Sequence, residues 1–304
     1  MNRLGVIELA FDPLIELGEI SLPLQTLGIT LGLLIAVTLA ARYARTMKLP
    51  ARRSAYRPRY PPAPNVGVRG GPVDEPLRLD DLAYIVLAAV PGAVIGGRLV
   101  HVFAFWSYYA EDPARLLDPS VGTLSLLGAV LGGALTGGYM AYLLGSPVRR
   151  WADAAAVPLL VALGLGKFAQ LLGGSGQGAP FEGPWAVAVV GAGPWISANP
   201  ELPSHPAQVY EGLWLLIGLL LVLSLASTVR SARRWQGGLF LAALLVFLFG
   251  RLVVGFSWRD EAVAGLLNAE QLLAIVALQV LLLGLVLGAW LRSRERPAAG
   301  GRVL

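Results

Sequence analysis

Three basic residues, Arg98, Lys167 and Arg251, stand inside long apolar runs. A cation in hydrocarbon is costly, and by default it faces a protein interior or a water-filled cavity where it has a function. His101 follows Arg98 by three positions and Gln170 follows Lys167 by three, a spacing that puts each pair on one helical face. Another apolar run opens with His205, Gln208, Tyr210 and Glu211, and Gln271 opens a further one. Arg offers a planar fork for two phosphate oxygens, and Lys a point charge. Glu211 is suited to pair with a cation or to act as a base. His205 and His101 are the only side chains whose ordinary titration lies near neutrality. Cations gathered at one depth point to an anion pocket, and the anion at hand there is a phospholipid headgroup. Each residue alone also has a plainer reading, a long side chain snorkelling to the interface or a histidine making a hydrogen bond there. Taken together, with no such group in the other half of the spans, they favour a shared cavity.

The elements that must carry these residues follow from composition. The chain has 304 residues, 56% of them hydrophobic and 14% charged. A soluble domain would be near 25% charged, so the expected fold class is an all-α polytopic membrane protein. The net charge of +5 sits in loops and reports orientation; a nucleic-acid partner is not expected. Cysteine is absent and histidine occurs twice, which excludes disulfides, thiolate metal sites and a cysteine nucleophile. No metal or cofactor is expected. The start of the chain lacks the pattern of a cleaved signal, so the first span is expected to stay in the mature protein.

Seven stretches are long and apolar enough to cross a bilayer: about 21–41, 82–105, 123–144, 152–174, 207–228, 236–257 and 269–291. The loops alternate in charge. Basic residues crowd 43–80, follow the third and fifth spans at Arg149, Arg150, Arg230, Arg233 and Arg234, and recur in the tail after 291. The intervening loops are acidic or neutral, and 176–206 has no Lys or Arg. The positive-inside rule then puts the N-terminus outside and the C-terminus in the cytoplasm, with every strongly polar group of the spans in the outer half. Segment 43–80 reads as a basic cytoplasmic linker, Pro- and Gly-rich at its centre. The Gly- and Pro-rich loop 173–206 reads as a small extracytoplasmic cap, with Trp185 and Trp195 suited to the interface. Gly92 and Gly96 on one span, and Gly128, Gly132, Gly133 and Gly137 on the next, repeat at about four residues, which lets two helices pack backbone to backbone. Pro91 is placed to kink the second span.

At the polar residues the chain resembles the prolipoprotein diacylglyceryl transferases, from Phe11-Asp12-Pro13 to about Leu273. His205-Pro206-Ala207-Gln208-Val209-Tyr210-Glu211 resembles the family's His-Pro-x-Gln-x-Tyr-Glu. Asp81, Gly97-Arg98-Leu99, Gly183-Pro184-Trp185-Ala186-Val187, Gly250-Arg251 and Gln271-Leu272-Leu273 resemble further family elements. Other positions differ. The family's span-three histidine falls at Leu127, its signature arginine at Lys167, two asparagines at Gln170 and Gly173, and its glutamate at Ser175. The Arg and Tyr of the first span fall at Gln25 and Leu27, and the glutamate after the late arginine at Gly255.

The resemblance implies a multi-pass enzyme of the bacterial plasma membrane. Its partners would be phosphatidylglycerol, prolipoprotein signal peptides and membrane lipids. The activity would be transfer of diacylglyceryl to a lipobox cysteine with release of glycerol phosphate. It implies catalytic roles for His205, Glu211 and Arg251, and substrate binding by Arg98, His101, Lys167, Gln170, Gln208, Tyr210 and Gln271. The absent histidine and glutamate leave open a catalytically impaired paralogue that binds anionic phospholipid without turnover. A small anion or lipid transporter is a third reading, though the inverted repeats that would support it are not apparent.

Overall fold

A computed structural model of the chain describes residues 5–46, 77–116, 124–191, 193–197, 199–228 and 237–294. Most of the linker 43–80 lies outside the described residues. The chain is a polytopic membrane protein, with seven long apolar helices among the described residues. These are α1 (Leu24–Thr46), α2 (Leu79–Ala104), α4 (Leu126–Leu143), α5 (Val148–Leu172), α6 (Ala207–Thr228), α7 (Gly238–Val254) and α8 (Ala269–Arg294); a five-residue helix, α3 (Trp106–Ala110), follows α2. The first helix begins at Leu24 rather than near 21 because residues 20–23 are a strand, and it runs on past 41 because no breaker interrupts it.

Two close crossings fix the layout. On α2 and α4 the glycines face one another. A Cβ on Gly132 would strike the Gly92 carbonyl, and one on Gly96 would lie 2.9 Å from the Gly132 Cα. Backbones can approach this closely only where side chains are missing. On α1, a Cβ on Gly28 would lie 2.7 Å from the Ala169 Cβ of α5, so these helices also pack tightly. The core between them joins Leu127 and Val130 of α4, Leu160 and Leu163 of α5, Leu215 of α6, Phe247 and Leu248 of α7, and Ala274 of α8. Large apolar side chains otherwise point outward, as expected where the solvent is hydrocarbon.

Polar groups pin the two ends of the bundle. At the end carrying the basic loops, Ser146 donates to buried Asp81 at 2.9 Å and accepts from the Trp151 indole at 2.8 Å. There too the Asp153 carboxylate of α5 accepts from the N–H groups of Gly237 (2.8 Å), Leu239 (3.0 Å) and Phe240 (3.3 Å). It thus caps the start of α7 across a helix interface, satisfying donors that the helix cannot satisfy itself.

The opposite end carries short strands. β1 (Ile7–Leu9) runs parallel to β4 (Val187–Val189), β2 (Leu14–Leu17) and β3 (Ile20–Pro23) form a hairpin, and β5 (Ala262–Ala264) pairs with β6 (Leu267–Asn268). Isolated bridges join Pro180 and Val187 to Ser204, and Gly178 to Trp258. Loop 173–206 is therefore woven into both the N-terminal segment and the turn after α7. Ala186–Val189 is buried at its centre.

Replacing Gly132 by Val should push α2 and α4 apart and cost at least about 1–3 kcal/mol. A clear fall in the thermal midpoint of the detergent-solubilised protein is expected, whereas Gly284→Ala, where a Cβ meets nothing within 4 Å, should leave it unchanged. Asp153→Ala should cost about 1–2 kcal/mol through loss of the cross-helix cap, again read as a lowered midpoint.

Candidate functional site

Where the strand-bearing end meets the bundle, four charged side chains from four helices come together. Lys167 of α5 contacts one carboxylate oxygen of Glu211 on α6, and Arg251 of α7 donates from Nη1 to the other at 2.8 Å. The second terminal nitrogen of Arg251 donates to Glu270, in the first turn of α8, at 3.0 Å. All four side chains are at least largely buried, the most exposed at 11%. Trp258 lies across the guanidinium with its ring centroid 3.9 Å away, a cation–π contact. Beside Glu211 and Arg251 a cavity of only about 10 Å³ is closed in by Leu126, Trp214, Leu215, Phe247 and Gly250.

These residues meet for reasons visible in the elements. Lys167 lies in the last turns of α5, Glu211 in the first turns of α6, Arg251 near the end of α7 and Glu270 at the start of α8. The start of α8 is set by a reciprocal cap. Asn268 accepts from the Gln271 N–H at 2.9 Å, and the Gln271 side chain accepts from the Asn268 N–H at 3.0 Å. Gln271 is fully buried and donates to the Leu252 carbonyl at 2.8 Å, while Asn268 donates to that of Gly255 at 3.3 Å. Gln271 thus docks α8 onto the end of α7.

Arg98 has different neighbours. Its Nε donates to the Leu116 carbonyl at 3.1 Å and a terminal nitrogen to that of Arg115, with Tyr109 beneath it at 5.2 Å. It holds the segment after α2 against the helix end. His101 packs on Phe105 (4.7 Å between centroids) and Tyr109 (6.0 Å), within electrostatic reach of Arg98 and Glu270.

His205 and Tyr210 form a separate chain in the strand-bearing layer. The Trp185 indole donates to the Tyr210 hydroxyl at 2.7 Å, and that hydroxyl lies 3.2 Å from His205 Nδ1. The imidazole stacks on Phe181 at 4.0 Å. Gln208 donates to the Ser175 carbonyl at 2.9 Å, and the side-chain carbonyls of Gln208 and Gln170 are both buried without a hydrogen-bond partner. Gly176 lies between them: its Cβ would sit 3.3 Å from the Gln170 oxygen and 3.4 Å from Gln208 Cγ.

Sequence reasoning missed Glu270, Trp258 and Arg259. Arg259 donates to the Gly178 carbonyl and the Ser204 hydroxyl, both at 2.7 Å, and so ties loop 173–206 to the turn after α7. Two buried cations require two anions, and that count would have pointed beyond Glu211 to the acid beside Gln271. Two departures from the family pattern also touch one another. Ser175 donates to the Gln25 oxygen at 2.8 Å, a neutral hydrogen bond at the positions where the resemblance puts an acid and a base. Leu127 is 1% exposed and belongs to the apolar core.

The cluster offers two cations held in place by carboxylates, which suits stabilisation of charge developing on an oxyanion or phosphate. Among the described residues no group of acidic or histidine side chains could hold a metal ion. Glu211→Gln removes the anion shared by two buried cations and should cost about 3–5 kcal/mol. The expected readout is a large drop in thermal midpoint; an unchanged midpoint would contradict the bridging role.

Comparison with known proteins identifies the family. The family model for prolipoprotein diacylglyceryl transferase matches residues 13–290. Several relatives carry the name phosphatidylglycerol–prolipoprotein diacylglyceryl transferase. That of Trichormus variabilis is 30% identical over 226 residues, covering 72% of this chain and 76% of the relative. That of Symbiobacterium thermophilum is 28% identical over 302 residues, 96% and 97% of the two chains, and that of Synechococcus elongatus 26% over 287 residues, 93% and 88%. A match running from the hairpin before α1 to the last helix takes in the whole charged cluster, and the chain belongs to the prolipoprotein diacylglyceryl transferase family.

Proposed function

We propose that this protein transfers diacylglyceryl from phosphatidylglycerol to the lipobox cysteine of prolipoproteins, releasing glycerol phosphate, in the bacterial plasma membrane. The observation that carries this reading is the meeting of Lys167 and Arg251 on Glu211. In the reaction a C–S bond forms between the cysteine sulfur and the glyceryl carbon while that carbon's bond to the phosphate oxygen breaks. The sulfur reacts as thiolate. His205 takes its proton, and negative charge gathers on the departing phosphate. Arg251 and Lys167 stabilise that charge, and Glu211 keeps both cations in place. Gln170, Gln208, Tyr210 and Gln271 shape the headgroup site, and Arg98 and His101 border it on α2. The N-terminus faces outward, which puts the cluster in the outer half of the membrane, beside lipid and translocated signal peptides.

An apolar groove supports a lipid substrate. About 530 Å³ in volume, it runs between α2, α4, α7 and α8 and is lined by Val100, Leu127, Leu244, Leu248, Leu273 and Val280. Such a surface fits acyl chains. A second reading, a non-catalytic paralogue that binds anionic phospholipid, is favoured by one observation: Leu127 is packing material where the resemblance puts a histidine.

A bacterium depleted of its own transferase and supplied with this chain separates the two. Rescue, with prolipoprotein converted to the lipid-modified form, is expected. Arg251→Ala should abolish rescue, since removal of one oxyanion-stabilising donor lowers turnover by about 10²–10³-fold. Unmodified prolipoprotein in cells that insert the protein normally would overturn the transfer reading in favour of the second.

A further inference from the structure

We infer that Glu270 is a positioning residue for this reaction: from the first turn of α8 it fixes the Arg251 guanidinium and makes the cluster one unit less positive. This rests on the transfer reading above. Neither the family pattern quoted from the sequence nor the match to relatives singles out this position.

The geometry is that of a clamp. Glu211 holds one terminal nitrogen of Arg251 at 2.8 Å, Glu270 holds the other at 3.0 Å, and Trp258 covers a face of the plane. Carboxylates from α6 and α8 thus hold the guanidinium at both of its terminal nitrogens. Its remaining nitrogen, Nε, is buried without a hydrogen-bond partner. Release from Glu270 would leave Arg251 on Glu211 alone, which Lys167 also occupies.

The second carboxylate comes from α8. One turn beyond Arg251 stands Gly255, where the family resemblance puts a glutamate. A Cβ at that position would lie 2.6 Å from Gln271 Cγ, because the docked start of α8 fills the space. The same docking contacts, Gln271 to Leu252 and Asn268 to Gly255, deliver Glu270 to the guanidinium. Here the acid is supplied across a helix interface instead of along α7. A carboxylate at a helix N-terminus is also favoured by the helix dipole.

The charge consequence separates positioning from plain packing. Among the groups in direct contact, Lys167 and Arg251 against Glu211 alone leave one positive charge, which attracts a phosphate monoanion; Asp260, in the turn after α7, lies within electrostatic reach of all of them and adds the same charge with or without Glu270. Adding Glu270 makes the cluster one unit less positive, so the acid weakens ground-state attraction while fixing the cation that the leaving phosphate needs. Removing Glu270 should therefore harm turnover without harming lipid binding. Loss of packing has no reason to produce that split.

The test uses the full-length protein in detergent micelles, with phosphatidylglycerol and a lipobox peptide, each variant normalised to folded protein. Glu270→Ala should lower kcat about 10- to 100-fold, the scale of a mispositioned group, with KM for phosphatidylglycerol unchanged or reduced. Glu270→Gln keeps an acceptor oxygen for Arg251 and should retain more turnover than the alanine variant, again with no rise in KM. Equal kcat in all three proteins, an alanine variant no worse than the glutamine one, or a raised KM would each overturn the inference. A second measurement does not need turnover: the rise in thermal midpoint on adding phosphatidylglycerol, relative to phosphatidylcholine. It should be larger for Glu270→Gln than for the unsubstituted protein, and an equal or smaller rise overturns the charge argument. If the unsubstituted protein transfers nothing while that larger rise is seen, the transfer reading fails and the assignment of Glu270 to the lipid site stands.

Discussion

Four buried charges set the terms for the rest of this molecule. Removing a charge from water is expensive, and an ion pair repays the cost only when geometry and hydrogen bonding are good. Lys167, Glu211, Arg251 and Glu270 come from four helices, so the relative placement of α5, α6, α7 and α8 at this end must satisfy all of them together. The docking of α8 through Asn268 and Gln271 serves that requirement. So does the Arg259 tie, which holds loop 173–206 beside the turn that carries Trp258.

Departures from the family pattern are compensated in this structure. Gln25 and Ser175 exchange a possible pair of charges for one hydrogen bond. Gly255 gives up a side chain and makes room for Gln271, while Glu270 brings a carboxylate to Arg251. Leu127 takes a place in the apolar core beneath the site. A site under no constraint would be expected to accumulate orphaned buried charges. Here each charged member has a partner of opposite sign.

Much of this was legible in the amino-acid order. Long apolar runs announce the helices, and a glycine at every fourth position announces the α2–α4 contact. Lys167, Glu211 and Arg251 stand out because charge is rare in such runs. Depth along a helix does not fix which neighbour a side chain faces: Arg98, at a similar depth, donates to the carbonyls of Arg115 and Leu116, contacts that its position in the sequence does not announce. Glu270 escaped notice because an acid in a first helical turn is ordinary, and only the balance of buried charge marks it out. The pairing of Ile7–Leu9 with Val187–Val189 joins short segments about 180 residues apart, and no local pattern encodes such a contact.

Lys167 and Glu211 are energetically one unit within this network. A double-mutant cycle on Lys167→Met and Glu211→Gln, read by unfolding in detergent micelles, measures their coupling directly. The double variant should be more stable than the sum of the single losses implies, by about 1–3 kcal/mol. Strictly additive losses would mean that the two charges do not depend on each other, and would contradict that coupling.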